Sequence, residues 1–316
     1  MPLTLPTNLP AIELLKKENI FVMSQLKANM QDIRPLKVAI LNLMPLKIAT
    51  ETDLIRILSN TPLQIEVDFI ALSSHESKNT PAEHIKAFYK RFDVISKSNY
   101  DGLIVTGAPV EHLDYENVNY WGEVCDVLDW ARQHVTSSIY ICWAAQAALY
   151  RFYGIPKYPL PKKMFGVFKH TITDKNCLLF RGFDDEFYAP HSRHTYLKAE
   201  DIVPHPDLKL LSESDEAGVY IVEGRGGREF YITGHSEYSL YALHNEYVRD
   251  SSKGLPIELP NHYYKHDDPT QKPISRWTGH GNLLFNNWIN YYLYQATPFN
   301  LKDIEKMDTI DFNFDL

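Results

Sequence analysis

The chain has 316 residues, of which 44% are hydrophobic and 23% charged, and its formal net charge is −8. This composition is typical of a globular protein, and the acidic balance argues against a nucleic-acid-binding surface. The first residues lack the apolar core of a signal peptide, and no window approaches the length that a membrane helix needs. Three cysteines at no metal-binding spacing argue against a disulfide framework and predict a reducing, cytoplasmic location.

In the first half of the chain, short apolar runs alternate with amphipathic segments. Strands are predicted at 37–43, 64–70, 101–109 and 137–142, and helices at 50–60, 81–95 and 120–134. Strands that alternate with helices of this length form βαβ units, whose parallel strands are covered by helices on both faces. The predicted fold class is therefore α/β, with a mostly parallel central sheet in a three-layer arrangement with flanking helices.

The pattern changes after residue 151. Residues 218–238 predict two strands joined by a Gly-Arg-Gly-Gly turn, which indicates an inserted hairpin region. Helical periodicity returns at 239–250 and at 281–295.

The chain shows no internal repeat and no composition shift sharp enough to be a linker, so we predict a single domain, 1–316. Its catalytic α/β core is expected at about 35–297, with the N-terminal segment 1–34 packed on it. The acidic tail, 302–316, is expected to be loosely held.

Cys142 lies at the end of a predicted strand and precedes a helix that begins with small residues. Sites in open parallel sheets form outside the carboxyl ends of the strands, and a nucleophile at a strand-to-helix turn is held in a tight elbow. The helix dipole favours a thiolate there, and the backbone N–H of Trp143 can face a developing oxyanion. The alternative is a buried core cysteine, which is our interpretation of Cys125 and Cys177.

A thiol nucleophile needs a base, and the base needs a group that orients it. The segment "TGHSEYS" supplies both, because His235 follows an apolar strand and Glu237 stands two residues further on. The alternative is a surface histidine followed by a glutamate at a helix N-terminus. Two strand-end features that complete one triad favour the catalytic interpretation.

A cysteine at an elbow with a distant His-x-Glu resembles the class I glutamine amidotransferases, which implies their flavodoxin-like fold. The glycines that flank the cysteine in that family are replaced here by Tyr140 and Ala144. A more extensive similarity covers about residues 1–301. The blocks "LNLMPLKIATETDLIRIL", "GLIVTGAPVE", "ICWAAQAALY", "PHSRHT", "TGHSEYS" and "EYVRD" occur in order and resemble the homoserine O-acyltransferases of methionine biosynthesis.

This resemblance implies a two-step, ping-pong transfer from an acyl-CoA co-substrate to L-homoserine, with no other cofactor and no metal. Cys142 would take the acyl group, His235 would deprotonate the homoserine hydroxyl, and Glu237 would orient His235. Covalent catalysis of this kind splits one difficult transfer into two easier steps. The resemblance also implies a homodimer.

The resemblance carries over to individual binding residues. Arg249 matches the position that holds the homoserine carboxylate, and Ser192 and Lys163 match further substrate-binding positions. Without the resemblance, each of these is an ordinary polar surface residue. Lys47, in the loop after the first predicted strand, offers its backbone N–H as a second oxyanion donor.

Glu111 bears on the choice of acyl donor. It follows Ala-Pro-Val beyond the third predicted strand, at a position where related enzymes with Gly tend to use succinyl-CoA and those with Glu tend to use acetyl-CoA. A glutamate there repels the second carboxylate of a succinyl group and fills its space. We therefore predict acetyl-CoA. The alternatives are succinyl-CoA, a glutamine amidotransferase-like cysteine hydrolase, an inactive binding protein, and a Glu111 that is only a surface carboxylate.

Overall fold

The computed structural model describes residues 3–5, 9–17, 22–24, 34–74, 79–298 and 301–310. The described strands are β1 (Leu3–Leu5), β2 (Val22–Ser24), β3 (Leu36–Leu41), β4 (Ile65–Ala71), β5 (Tyr89–Arg91), β6 (Tyr100–Val105), β7 (Val135–Ile141), β8 (Tyr158–Ile172), β9 (Glu186–Tyr196), β10 (Leu208–Ser214), β11 (Gly218–Gly224) and β12 (Glu229–Ile232). The described α-helices are α1 (Ala11–Lys17), α2 (Lys47–Leu58), α3 (Ala82–Phe88), α4 (Phe92–Ile95), α5 (Trp121–His134), α6 (Trp143–Tyr153), α7 (Ala199–Ile202), α8 (Ala242–Ser252) and α9 (Thr278–Asn287). Four 3₁₀ segments (Tyr115–Asn117, Leu178–Phe180, Lys265–Asp267 and Leu301–Lys306) and a π-helical turn (Trp288–Tyr294) complete the described elements.

One sheet contains all the described strands, in the order β2-β1-β4-β3-β6-β7-β12-β11-β10-β8-β9, with β5 paired to β4. The strands from β2 to β12 pair in parallel, and those from β12 to β9 pair antiparallel. The predicted α/β class is confirmed. The antiparallel part is larger than the predicted hairpin, because β8 and β9 extend it well beyond β11 and β12.

The central parallel strands are buried on both faces, as their nearly continuous apolar sequences require. In β3, Val38 and Ile40 contribute to one apolar cluster, whereas Ala39 and Leu41 contribute to a second. Successive side chains of a strand point to opposite faces, so the two clusters lie on the two sides of the sheet. The helices over these clusters make the outer layers of the three-layer arrangement.

The prediction of a single helix over 81–95 is wrong. The helix ends at Phe88, and residues Tyr89–Arg91 form the short strand β5 beside β4 before a single helical turn follows. Periodicity alone could not reveal this break, because the Tyr89 hydroxyl donates to the buried carboxylate of Glu51, far away in the sequence. A tertiary contact therefore overrides the local helical pattern.

The prediction of a loosely held tail is wrong for its described part. Ile304, in the 3₁₀ segment, is fully buried, Ile310 is buried as well, and the guanidinium of Arg228 donates to the Met307 carbonyl. Residues 311–316 lie outside the described residues, as does most of 1–34. The division of the chain into a core, an N-terminal segment and a tail stays a prediction. Among the described residues, no helix is long and apolar enough to cross a membrane.

The carboxyl ends of β3, β6, β7 and β12 lie side by side. Leu41 pairs with Val105 at the ends of β3 and β6, and Ile141 pairs with Ile232 at the ends of β7 and β12. The loops that follow these four strands therefore emerge at one edge of the sheet, which is where a ligand site forms in this kind of fold.

Candidate active site

Cys142 occupies a strained elbow between β7 and α6. Its φ of 54° and ψ of −114° lie in a region that residues with a side chain rarely adopt. Its backbone N–H donates to the Ile232 carbonyl at 2.7 Å, and its own carbonyl accepts from Ala145 at 3.1 Å. A Cβ added at Gly107 would be 3.2 Å from the Cβ of Cys142, so a side chain there would crowd the cysteine. Strain of this kind is typical of a functional position.

His235 follows β12, close enough to Cys142 that the cysteine contributes to the shift of its pKa. Its Nδ1 is 2.7 Å from the Oε1 of Glu237, and the ring of Tyr238 stacks on the imidazole at 4.1 Å between centroids. Burial alone would lower the pKa of His235, but the negative charges of Glu237 and Cys142 raise it well above its ordinary value. The fold thus brings Cys142, His235 and Glu237 together in a buried triad.

Strand β9 contacts both His235 and Cys142. The Pro190 carbonyl accepts the backbone N–H of His235 at 2.8 Å, and the Ser192 carbonyl lies 3.9 Å from the sulfur of Cys142. Gly234 packs so closely that an added Cβ would be 2.8 Å from the Pro190 oxygen. The position of β9 therefore sets where the base stands relative to the thiol.

Glu246, in α8, joins the three residues that the sequence predicts for substrate binding. Its Oε1 accepts from Lys163 Nζ at 2.6 Å and from the Ser192 hydroxyl at 3.0 Å, and it lies 3.5 Å from Arg249. Arg249 also makes a two-point contact with Asp250 at 2.6 and 2.9 Å. Sequence reasoning missed Glu246. The available signal was its i, i+3 spacing from Arg249, which places both on one helix face.

Glu111 is buried, with 9% of its surface exposed, so the interpretation as a surface carboxylate is wrong. Burial raises the pKa of its carboxyl, while the positive charges of Lys163, His112 and His235 act in the opposite direction. The carbonyl of Glu111 accepts from Lys157 at 2.8 Å, which holds the loop in place. The carboxyl group thus stands close to the charges of the triad and of the predicted substrate residues.

The two predicted oxyanion donors each begin a helix. Lys47 is the first residue of α2 and Trp143 the first of α6, so their backbone N–H groups have no intrahelical partner. Lys47 also lines a cavity of about 710 Å³ together with Tyr238, Glu246 and Arg249. This cavity extends from the ring that covers His235 to Arg249, one of the predicted substrate residues.

Arg193 is a second residue that sequence reasoning missed. It is buried, its Nη1 donates to the Thr195 carbonyl at 2.7 Å, and its Nε donates to His191 Nδ1 at 3.3 Å. Burial lowers the pKa of Arg193 to about 10, against the opposing negative charges of Cys142 and Glu111. Arg193 is thus a buried cation whose charge interacts with those of Cys142 and Glu111.

The arrangement supplies the parts of an acyl-transfer site. It has a thiol at an elbow, a base oriented by a carboxylate, and N–H groups at helix starts that no carbonyl of their own helix accepts. The adjoining cavity carries side chains of both charges, which suits a small zwitterionic acceptor. In the described part of the chain, no group of three His, Cys, Asp or Glu side chains is placed to hold a metal ion.

Solved structures of similar fold include a glutamine amidotransferase from Thermotoga maritima, with a TM-score of 0.53 and 12% identity over 82% of this chain and 98% of that chain. A glutamine amidotransferase from Methylobacillus flagellatus has a TM-score of 0.51 and 13% identity over 82% of this chain and 95% of that chain. These identities support a shared fold only, and they confirm the predicted glutamine amidotransferase-like architecture.

The sequence comparisons go further. A homoserine O-acetyltransferase from Parabacteroides distasonis is 63% identical over 98% of this chain and 100% of the relative. One from Bacteroides fragilis is 64% identical over 96% and 100%, and one from Acetivibrio thermocellus is 55% identical over 96% and 100%. The family model described as homoserine O-succinyltransferase matches residues 2–299. This chain therefore belongs to the homoserine O-succinyltransferase family, as the resemblance of its motifs predicts.

Proposed function

We propose that this protein is a homoserine O-acetyltransferase of methionine biosynthesis. It transfers an acetyl group from acetyl-CoA to the side-chain hydroxyl of L-homoserine through an acyl-Cys142 intermediate. The observation that carries the proposal is the burial of Cys142, His235 and Glu237 beside the paired strand ends Ile141 and Ile232, with Glu237 Oε1 2.7 Å from His235 Nδ1. Family membership and the names of the relatives support the same reaction.

In the first step, the Cys142 thiolate attacks the thioester carbon of acetyl-CoA. The new carbon–sulfur bond forms as the carbonyl oxygen becomes an oxyanion, which the N–H groups of Trp143 and Lys47 stabilise. The bond to the CoA sulfur then breaks, and His235 gives that sulfur its proton. The raised pKa of His235 favours the imidazolium that this step requires.

In the second step, His235 removes the proton from the homoserine hydroxyl. The oxygen attacks the acyl carbon, the bond to the Cys142 sulfur breaks, and O-acetylhomoserine leaves. Arg249 binds the α-carboxylate of homoserine, because a guanidinium matches a carboxylate with two hydrogen bonds. Glu246 is the acceptor suited to the α-ammonium group, with Lys163 and Ser192 holding its carboxylate in position.

Glu111 selects the shorter acyl group. A succinyl chain would bring a second carboxylate toward a buried glutamate, and a like charge in a desolvated pocket costs several kcal/mol at most. The second candidate is a homoserine O-succinyltransferase, which the description of the matching family favours. From the family resemblance we also propose a homodimer, and from the cysteine content a cytoplasmic location.

The test measures CoA release from acetyl-CoA and from succinyl-CoA, each with and without homoserine. We expect release that depends on homoserine and is faster with acetyl-CoA. Cys142→Ser should lower turnover by about 10⁴-fold or more, because it removes the nucleophile. The matched control Cys125→Ser changes a half-buried cysteine in α5 and should turn over like wild type. Faster release with succinyl-CoA would establish the second candidate, and no release with either donor would refute both.

A further inference from the structure

Glu51 is a fully buried carboxylate on α2, one turn after Lys47. Its two oxygens lie 3.1 and 3.0 Å from the Nε2 of His84, and Oε1 also accepts from the hydroxyl of Tyr89. Both donors are buried and come from the segment where the predicted helix 81–95 breaks. Nothing in the proposed reaction uses this group directly.

The hydrogen bonds run from Glu51 to the loop before α2 in a fixed direction. A carboxylate only accepts, so the Tyr89 hydroxyl must donate to Glu51 and its oxygen accepts from Asn42 Nδ2 at 3.1 Å. The same Nδ2 donates to the Lys47 carbonyl at 3.2 Å, while Asn42 Oδ1 accepts from the N–H of Met44 at 3.2 Å. The carboxylate therefore fixes the orientation of the Asn42 amide.

The Asn42 amide in turn fixes the loop 42–47. The Lys47 ammonium folds back onto the Asn42 carbonyl, so both the backbone and the side chain of Lys47 are tied to one residue. Burial lowers the pKa of Lys47 to about 8, against the opposing attraction of Glu51. Stability alone does not explain these buried charges, because a protein with well-packed apolar side chains in their place would often be equally stable.

The start of this loop, at Leu43, is connected to the active site. The N–H of Leu43 donates to the Thr106 hydroxyl at 2.8 Å, and Thr106 precedes Gly107, which lies against Cys142. On the other side, Lys47 shares a cavity with Tyr238, whose ring covers His235. The loop thus spans from the neighbour of the nucleophile to the cavity beside the base.

We propose that Glu51, Tyr89 and Asn42 are positioning residues for acyl transfer. Their hydrogen bonds hold the Lys47 backbone through its carbonyl, and thereby place the preceding N–H of Lys47 to face the oxygen of the acyl group as that oxygen gains charge. This inference rests on the proposed function. His84 completes the set by satisfying the second oxygen of Glu51.

The test compares two rates at Cys142 in the full-length protein. Tyr89→Phe removes one hydroxyl, and we expect acylation by acetyl-CoA in a single turnover to slow by about 10- to 100-fold, less than the loss of a complete oxyanion donor. Alkylation of Cys142 by iodoacetamide should stay near the wild-type rate. That reaction displaces iodide from a saturated carbon and forms no oxyanion, so it reports the thiolate alone.

The matched control is Tyr100→Phe. Tyr100 is also buried, and its hydroxyl donates to Asp68 at 2.8 Å in the same sheet, but it begins β6 at the opposite edge from Cys142. It should lose stability as Tyr89→Phe does and keep its acylation rate. If Tyr89→Phe does not fold, Asn42→Asp, which removes the amide donor, is measured with the same expectation.

Equal loss of both rates in Tyr89→Phe would overturn the positioning role, because a general distortion of the site would then explain it. Wild-type acylation in Tyr89→Phe would overturn it as well, while leaving the proposed function intact. Wild-type protein that neither acetyl-CoA nor succinyl-CoA acylates would overturn the proposed function first, and the positioning role with it.

Discussion

At Cys142, three separate features act on one sulfur atom. The positive φ of 54° costs about 1–3 kcal/mol, and the surrounding core must offset that cost. The sulfur also lies directly before the start of α6, and His235 stands near it after β12. The strained backbone of Cys142 can serve acyl transfer only with His235 beside the thiol, so the elbow and His235 are best tested together.

The charge of Glu237 should control the reactivity of that sulfur. Glu237→Gln removes a negative charge that raises the pKa of His235, so the imidazole holds its proton less strongly. Less thiolate then forms at neutral pH. We expect slower alkylation of Cys142 by iodoacetamide near pH 7, and a pH–rate profile shifted toward higher pH.

The control for this prediction is Glu116→Gln, because Glu116 lies in the 3₁₀ segment Tyr115–Asn117 and accepts from the Tyr150 hydroxyl away from the triad. Its profile should match that of wild type. An unshifted profile in Glu237→Gln would mean that Glu237 orients His235 without controlling the reactivity of Cys142.

Glu111 should set the acyl preference through its charge and its volume. Glu111→Gly removes both, and we expect the ratio of kcat/KM for succinyl-CoA over acetyl-CoA to rise by about 10- to 1,000-fold. Glu111→Gln keeps the volume and removes the charge, so it separates the two contributions. If this ratio of kcat/KM values is unchanged in both variants, Glu111 does not set the acyl preference.

The residues that the sequence predicts for the site are those with a local signature. Cys142 and His235 follow strands, and that position can be recognised without coordinates. Glu246 and Arg193 could not be found in the same way. For Glu246 the one local signal is its i, i+3 spacing from Arg249, and Arg193 has none. Their surroundings depend on what α8 and β9 contact across the fold.

Among the elements, β9 connects the parts of the site. Within three residues it accepts the N–H of His235 through Pro190, approaches the Cys142 thiol through the Ser192 carbonyl, and bonds Glu246 through the Ser192 hydroxyl. Its partner β8 carries Lys163. The antiparallel part of the sheet therefore contacts His235, Cys142 and Glu246 from one side, while Cys142 and His235 themselves follow the parallel strands β7 and β12.

Most helices and strands were predictable because their apolar periodicity agrees with their burial. The break at Tyr89–Arg91 and the long antiparallel pair β8–β9 were not. In the first case a distant carboxylate draws Tyr89 out of a helix. In the second, the Pro- and Lys-rich sequence before Met164 lacks the apolar alternation typical of a strand. The pairing of β8 with β9 shifts register there, between Pro159 and Met164.

At the scale of the whole molecule, the described part of the C-terminal segment packs on the core, where Ile304 and Ile310 are buried. Ile304→Ala removes a fully buried side chain, and we expect it to lower the free energy of unfolding by about 2–5 kcal/mol. Leu255→Ala, at a position 52% exposed, is the matched control and should change stability little. Denaturant unfolding measures both, and equal stabilities would show that the tail contributes nothing.

The central claim is that Cys142 carries the acyl group, and intact-protein mass spectrometry tests it most directly. The protein is incubated with acetyl-CoA or succinyl-CoA without homoserine, and homoserine is then added. We expect an acetyl adduct on the peptide that contains Cys142, and its loss when homoserine is present. A succinyl adduct alone would contradict the role of Glu111, and no adduct from either donor would contradict the acyl-enzyme itself.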